Sequence, residues 1–301
     1  VINILYIIAS LEKGGAEGQL FQLVNGLNRQ RYRPLVCCIW SKGHYAEELD
    51  KQGVPVFLLK RKSKYDIRIV PQIVRIIKSN DIKIVHTYMF TANLWGRLAA
   101  IVSQVPFIII SERCVDWWKS MLHRWIDRFL ARFTTRIIAN SEAVKKYIVV
   151  DENILKPVVD VIYNGVDASK FAPRDKAVSS PLVIGNLSRF NPQKNILGLL
   201  RAIKLLRDQG CSVTLLLLGD AQIKEDIEYK KQIIEYIRSN KLEQAVEMPG
   251  KVIDVPSYLE RMDLVVQASH YEGFPNVLME AMSSGKLVIA TKAGGTAELT
   301  L

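Results

Sequence analysis

Twelve short apolar runs, separated by segments of helical pattern, constrain this chain more than any other feature. Seven precede residue 167: Asn3–Ala9, Pro34–Trp40, Val54–Leu59, Ile82–His86, Phe107–Ile110, Arg136–Ala139 and Val158–Ile162. After a polar, proline-containing break at Asp167–Pro181 the rhythm resumes with Leu182–Leu187, Val213–Leu218, Ala245–Met248, Leu264–Gln267 and Leu287–Thr291. The runs are near-continuously apolar, not alternating, so each is expected to be a strand buried on both faces. Alternation of such strands with helices calls for parallel sheets with helices on both sides, and the break calls for two of them. The fold class is therefore α/β, with doubly wound parallel-sheet domains at 1–167 and 168–301. A chain of 301 residues suffices for two domains that each bury a core. Ligands of such sheets bind beyond the carboxyl ends of the strands.

Composition removes several other classes. No apolar run reaches membrane-spanning length and no signal-peptide pattern opens the chain. Cys37, Cys38, Cys114 and Cys211 have no metal-like spacing, and the adjacent pair in an apolar run reads as buried thiols in a reducing compartment. The net charge of +11 is uneven: residues 1–167 hold 24 Lys/Arg against 15 Asp/Glu, residues 168–301 hold 17 against 15. No nucleic-acid module pattern is present, so the basic half is either a solvated surface or one that contacts an anionic membrane, the better functional reading. The stretch Arg113–Arg136 fits that expectation. Arg124, Arg128 and Arg132 recur at helical spacing, as do Met121, Leu122, Trp125, Phe129 and Phe133, after the pair Trp117 and Trp118. A basic, aromatic helix of this kind either lies in a lipid interface or packs its aromatic stripe on the sheet.

The residues that carry chemistry cluster at expected strand ends. In Ser269–Glu298, Glu272 and Glu280 flank the start of a predicted helix, with Pro275 at its first position and Phe274 as its cap. Phenylalanine offers no side-chain acceptor, so amides around Gly273, Phe274, Asn276, Val277 and Leu278 are left for an anion at the positive end of the helix dipole. The pattern alone is met equally by an amphipathic surface helix with solvated glutamates. Arg189 and Lys194 lie beyond one strand, and Gly219 ends the next within Leu218-Gly219-Asp220. Gly14 and Gly15 open the first helix, where small residues let backbone amides approach a ligand closely. His86 and Tyr88 are expected at the rim of their strand, with Asn93 about a turn into the next element. Neither the G-x-G-x-x-G dinucleotide fingerprint nor a P-loop occurs.

The run EGFPNVLMEA followed by VIAT, Gly294-Gly295 and Glu298 resembles the signature of the retaining glycosyltransferases of family 4, including the Glu-x7-Glu pair Glu272 and Glu280. SLEKGGAE, IVHTYMFTAN, VIYNGVD and IGNLSRFNPQKN resemble the same family in the same order, so the similarity covers the whole chain. The resemblance implies the GT-B architecture, with two Rossmann-like domains facing across a cleft, and transfer of a hexose or N-acetylhexosamine from a nucleotide-diphosphate sugar to a glycan or lipid-linked acceptor. It implies that Arg189 and Lys194 take the diphosphate, Glu280 the ribose and Glu272 the sugar hydroxyls. Gly14, Gly15, Gly219 and the start of the helix at 274–278 would face the donor. MPGKVIDVPSYL resembles the segment that holds the base. Two positions depart from the pattern: Gly18 stands where the family often has Arg, and Tyr88 where it often has a second His. A phenol with a pKa near 10 is a poor base at neutral pH. No Asp-x-Asp occurs, so neither a metal nor another cofactor is expected.

A same-fold sugar-nucleotide epimerase or sugar-phosphate synthase is an alternative. So is a weakly catalytic sugar-nucleotide-binding protein, because family members continue beyond Gly294-Gly295 and this chain reads as truncated. The expected location is cytoplasmic, peripheral on the inner face of the plasma membrane.

Overall fold

A computed structural model describes residues 1–63, 66–116, 118–155, 158–174, 177–178 and 180–299. The chain divides into two compact units, Val1–Asn164 and Gly165–Leu301. The division falls three residues before the boundary expected at Asp167.

The first unit holds a seven-stranded parallel sheet ordered β3-β2-β1-β4-β5-β6-β7. Its strands are β1 (Ile2–Ser10), β2 (Tyr32–Ser41), β3 (Val56–Leu58), β4 (Ile84–Tyr88), β5 (Phe107–Glu112), β6 (Arg136–Ala139) and β7 (Val159–Val161). The helices α1 (Gly15–Gly26), α2 (His44–Lys51), α3 (Ile69–Ser79), α4 (Met89–Val102), α5 (Met121–Ala131) and α6 (Glu142–Lys146) connect them. Period-two geometry splits each strand between two cores. Leu5, Ile7, Leu35 and Cys37 pack with Ile73 of α3 and Ala99 of α4. Ile4, Tyr6, Val36 and Cys38 pack on the other face with Leu20 of α1 and Leu49 of α2. Cys37 and Cys38 are therefore buried on opposite faces, and burial pushes both thiols up, Cys38 to about 12. Neither is ionised at neutral pH.

The second unit holds a five-stranded parallel sheet ordered β10-β9-β8-β11-β12. It comprises β8 (Leu182–Leu187), β9 (Val213–Leu218), β10 (Val246–Gly250), β11 (Leu264–Gln267) and β12 (Leu287–Ala290). The helices are α7 (Ile196–Asp208), α8 (Lys224–Ser239), α9 (Val255–Arg261) and α10 (Asn276–Ser283). Leu215 and Leu217 of β9 meet α7 and α8 on one face, while Leu216 and Leu218 join Leu259 and Ala281 on the other. In each unit the strand order reverses at one point, between β1 and β4 in the first and between β8 and β11 in the second. Crevices at such reversals are where open α/β sheets take ligands.

Helix α5 is turned the other way from a layer helix packing its aromatic stripe on the sheet. Met121 is 78% exposed and Trp125 64%, with Leu122, Phe129, Phe133 and Trp118 exposed beside them, whereas Asp127 is buried. Trp117 lies outside the described residues. The inward face is held by ions. Lys119, 4% exposed, places Nζ 2.8 Å from Glu152 and 3.0 Å from Asp127, with Glu112 and Asp116 at 3.9 Å. The fully buried Arg97 of α4 donates to the Asp127 carboxylate and to the Asn93 carbonyl at 2.7 Å. Buried charges are tolerated only when paired, so this network fixes which side of α5 faces inward. Among the described residues no helix is long and apolar enough to cross a membrane.

Candidate functional site

The carboxyl ends of β8 and β11 flank the reversal in the second sheet, and the loops after them are laced together. Gln193 Nε2 donates to the Tyr271 carbonyl at 2.8 Å, and the His270 amide donates to the Gln193 carbonyl at 2.8 Å. Gln193 belongs to a 3-10 turn, Pro192–Lys194, in which the Lys194 amide donates to the Asn191 side chain at 3.2 Å. Asn195 follows in the left-handed region, at φ 50°, which turns the chain from this piece into α7. The turn and the lacing bring Lys194 Nζ within 2.5 Å of Glu272 Oε1.

Glu272 is 7% exposed, and its Oε1 also accepts from Gln267 Nε2 at 2.6 Å. Oε2 takes no hydrogen bond from a described residue. Its backbone is braced from β12. Gly294 sits at φ +54°, and a Cβ on it would come 2.0 Å from the Glu272 carbonyl oxygen. Only glycine fits that contact and that angle together. The Thr291 amide donates to the Gln267 carbonyl at 3.0 Å and Thr291 Oγ1 to the Ser269 carbonyl at 2.5 Å, tying the same loop from below.

Arg189 is half exposed, with Nε 3.6 Å from the buried Asp226 and a 3.3 Å hydrogen bond to Gln222. It and Lys194 are thus both cations at the crevice, each resting on a carboxylate of the unit. Gly219, at φ +131°, lets the end of β9 touch the loop after β8, since a Cβ there would lie 1.8 Å from the Ser188 carbonyl. Any side chain would push the two loops apart.

The helix start differs by one residue from the sequence expectation. Pro275 is the cap and Asn276 the first residue of α10, because Pro275 takes an extended ψ of 107°. Proline fixes φ and leaves ψ to its surroundings. Pro275 makes no side-chain cap hydrogen bond, and the first turn directs the peptide N–H groups of Val277 and Leu278 toward the region beside buried Gly273 and Phe274. Glu280, four residues further along α10, is half-buried. Burial raises its pKa, opposed by the nearby Lys170 ammonium.

In the first unit, α1 begins at Gly15 with Gly14 as cap, and the Glu17 carboxylate folds back beside the Gly14 Cα. His86 and Tyr88, expected at the rim of their strand, are both buried, at 6% and 3% exposure. The reason is that β4 continues to Tyr88, two residues past the expected end, and β1 and β5 flank it. His86 Nε2 lies 2.8 Å from Ser111 Oγ, and its ring contacts Tyr6 and Tyr88. Burial and then the Arg113 guanidinium lower its pKa to about 3, so the ring is neutral. Burial raises the Tyr88 pKa. Asn93 is buried too, bridging Thr87 at 2.6 Å and Glu112 at 2.9 Å.

The sequence reading missed Gln267, Asp226 and the Lys119 cluster. Gln267 had a visible signal, an amide closing an otherwise apolar Leu-Val-Val strand. Lys119 and Asp226 had none, since their importance lies in burial.

Two family models match the chain: "Glycosyltransferase Family 4" over residues 13–170 and "Glycosyl transferases group 1" over residues 169–300. The chain is 26% identical over 249 residues to the UDP-Gal:alpha-D-GlcNAc-diphosphoundecaprenol alpha-1,3-galactosyltransferase of Escherichia coli, covering 76% of this chain and 63% of that enzyme. It is 25% identical to the putative glycosyltransferase EpsF of Bacillus subtilis, over 94% of this chain and 77% of the relative. Among solved structures, Anabaena HepE in complex with UDP and glucose superposes with a TM-score of 0.87 at 26% identity, over the whole of this chain and 83% of HepE.

Proposed function

The chain belongs to glycosyltransferase family 4, and from that premise we propose that it transfers a hexose from a UDP-sugar to a lipid-linked glycan, with retention and without a metal. The observation that carries the reading is the convergence of Lys194 and Glu272 at the sheet reversal, beside the start of α10. The UDP-glucose complex of HepE and the UDP-galactose donor named for the E. coli relative support the choice of donor.

In this reading the donor diphosphate sits against Arg189, Lys194 and the peptide N–H groups of α10, with Gly219 keeping the floor clear. Glu280 takes the ribose hydroxyls and Glu272 the sugar hydroxyls. The anomeric carbon–oxygen bond to the diphosphate breaks and the electron pair stays on the phosphate oxygen. Fixed cations there stabilise the charge as it develops. The acceptor hydroxyl oxygen attacks from the same face and gives its proton to that phosphate oxygen. Buried and uncharged, His86 and Tyr88 carry no proton in this reading.

Titration with UDP, UDP-glucose and UDP-galactose tests the reading. UDP is expected to bind, and mass spectrometry of products with a diphosphate-linked polyprenol sugar is expected to show one added hexose. Absence of UDP binding would defeat the proposal. Binding without transfer to any of a panel of acceptors would favour the weak binding protein, and isomerised donor the epimerase.

The lipid-linked acceptor also gives the exposed face of α5 a partner. Trp118, Met121, Leu122, Trp125, Phe129 and Phe133 stand exposed on a unit whose residues 1–164 carry 24 Lys/Arg against 14 Asp/Glu. Aromatic side chains over a basic surface suit the interface of an anionic bilayer. The double change Trp125→Ser, Phe129→Ser is expected to weaken sedimentation with phosphatidylglycerol vesicles by about thirtyfold or more, from roughly 2–3 kcal/mol of lost apolar insertion. Unchanged sedimentation would remove the membrane from the proposal.

A further inference from the structure

Lys194 has two claims on it. In the structure it is bound to Glu272 Oε1 at 2.5 Å, and in the proposed reaction it must serve the diphosphate. A carboxylate whose cation turns toward an incoming anion loses the partner that held its rotamer, unless a second donor stays in place.

Gln267 is that donor. It is the last residue of β11, fixed in register between Ile289–Ala290 of β12 and the loop bonded to its own carbonyl through Thr291. The side chain is 5% exposed and its Nε2 donates to Glu272 Oε1 at 2.6 Å, with Ser269 Oγ at 3.4 Å. Its Oε1 is buried and has no hydrogen-bond partner among the described residues. A buried amide oxygen without a partner costs about 1–3 kcal/mol. Rotating the amide would relieve nothing, because it would set that oxygen against a carboxylate that can only accept. The orientation is dictated by Glu272. Both donors converge on Oε1, so Oε2 is the oxygen left for a ligand.

We propose that Gln267 is a positioning residue, which keeps Glu272 aimed at the sugar hydroxyls through Oε2 while Lys194 is engaged by the diphosphate. The proposal rests on the reading that Glu272 binds the donor sugar. It adds a group that touches neither sugar nor phosphate.

Its test uses Gln267→Met, which keeps length and shape without the N–H, and Gln267→Glu, with Glu272→Gln as reference. The probes are UDP and whichever of UDP-glucose and UDP-galactose the unaltered chain binds more tightly. Gln267→Met is expected to keep its UDP affinity, which also shows that the second unit is folded. It is expected to lose most of the added affinity of the UDP-hexose over UDP, and to release UDP from that donor at least about tenfold more slowly. Gln267→Glu supplies a pH signature. Two carboxyl groups sharing one site hold a proton between them to higher pH than either alone. At pH near 5.5 the shared proton restores the hydrogen bond and activity, and both are lost as pH rises toward 8, a fall the unaltered chain lacks. Should Gln267→Met match the unaltered chain in sugar affinity and rate while Glu272→Gln is impaired, the proposal is overturned and the role of Glu272 stands. A fully active Glu272→Gln would remove the role of Glu272 and the proposal with it.

Discussion

Lys194→Met is expected to lower transfer from a UDP-hexose by about 10²–10³-fold, the loss found when one preorganised donor to a developing oxyanion is removed. The site around it explains why the loss appears in rate and not in folding. Lys194 lies on a turn held by Asn191 and Gln193, contacts that its ammonium does not make. Glu272 keeps Gln267 as a donor when the ammonium is gone. The melting temperature is therefore expected to stay within a few degrees of the unaltered chain, and UDP affinity to fall. Lys194→Arg is expected to recover little. A planar guanidinium cannot replace a compact ammonium seated 2.5 Å from a carboxylate in a crowded turn. An unchanged rate in Lys194→Met would show that the diphosphate leaves without this cation, and the proposed geometry would fail.

Lys119→Met is expected to be the most destabilising single change in the first unit, by about 3–5 kcal/mol, because it leaves buried carboxylates without their central cation. Glu112, Asp116, Asp127 and Glu152 all lie within 3.9 Å of its Nζ. Arg97 would still hold Asp127, but among the described residues no other cation pairs with Glu152 or Glu112, and Glu112 would keep only the Asn93 amide. In a unit of this size that loss corresponds to a melting transition lower by roughly 10 °C. Calorimetry resolving the two units separately would measure it.

The change should also be pH-dependent in a defined direction. Burial raises the Glu112 pKa to about 8, with Lys119 the chief opposing influence. A carboxyl raised in the folded state holds a proton that the unfolded chain releases. Its stabilising effect is complete below the unfolded value near 4.5 and is lost as pH climbs through the folded one. Removing Lys119 lifts the folded value further, so the deficit of Lys119→Met is expected to be smaller at pH 5.5 than at pH 8. A deficit independent of pH would mean that the four carboxylates are not coupled through this lysine.

Much of this protein is set by local pattern. Among the described residues the twelve apolar runs became twelve strands, and central ones such as β1 and β9 are apolar because a parallel sheet buries both their faces, whereas the edge strand β12 leaves Leu287 and Ile289 exposed. Arg189, Lys194, Gly219, Glu272 and Gly294 could be located beyond strand ends for the same reason: strand–helix alternation places every such loop at the carboxyl edge. What only the tertiary structure decided is which charges meet and which side of an element faces inward. Arg113–Arg136 has the sequence of an amphipathic helix whose aromatic stripe either packs on the sheet or lies in a lipid interface, and periodicity does not choose between them. The buried lysine on its flank, and the carboxylates gathered from β5, α5 and the segment before β7, turn the stripe away from the sheet. The ends of β4 and α10 moved for related reasons, His86 and Tyr88 being drawn into the sheet by flanking strands and Pro275 held extended by the loop it closes. Gln267 meets Glu272 five residues later in a loop where Gly294, after β12, presses against the Glu272 backbone. Ion pairing and backbone contact at short range depend on where distant segments come to rest, and no spacing along one chain records that.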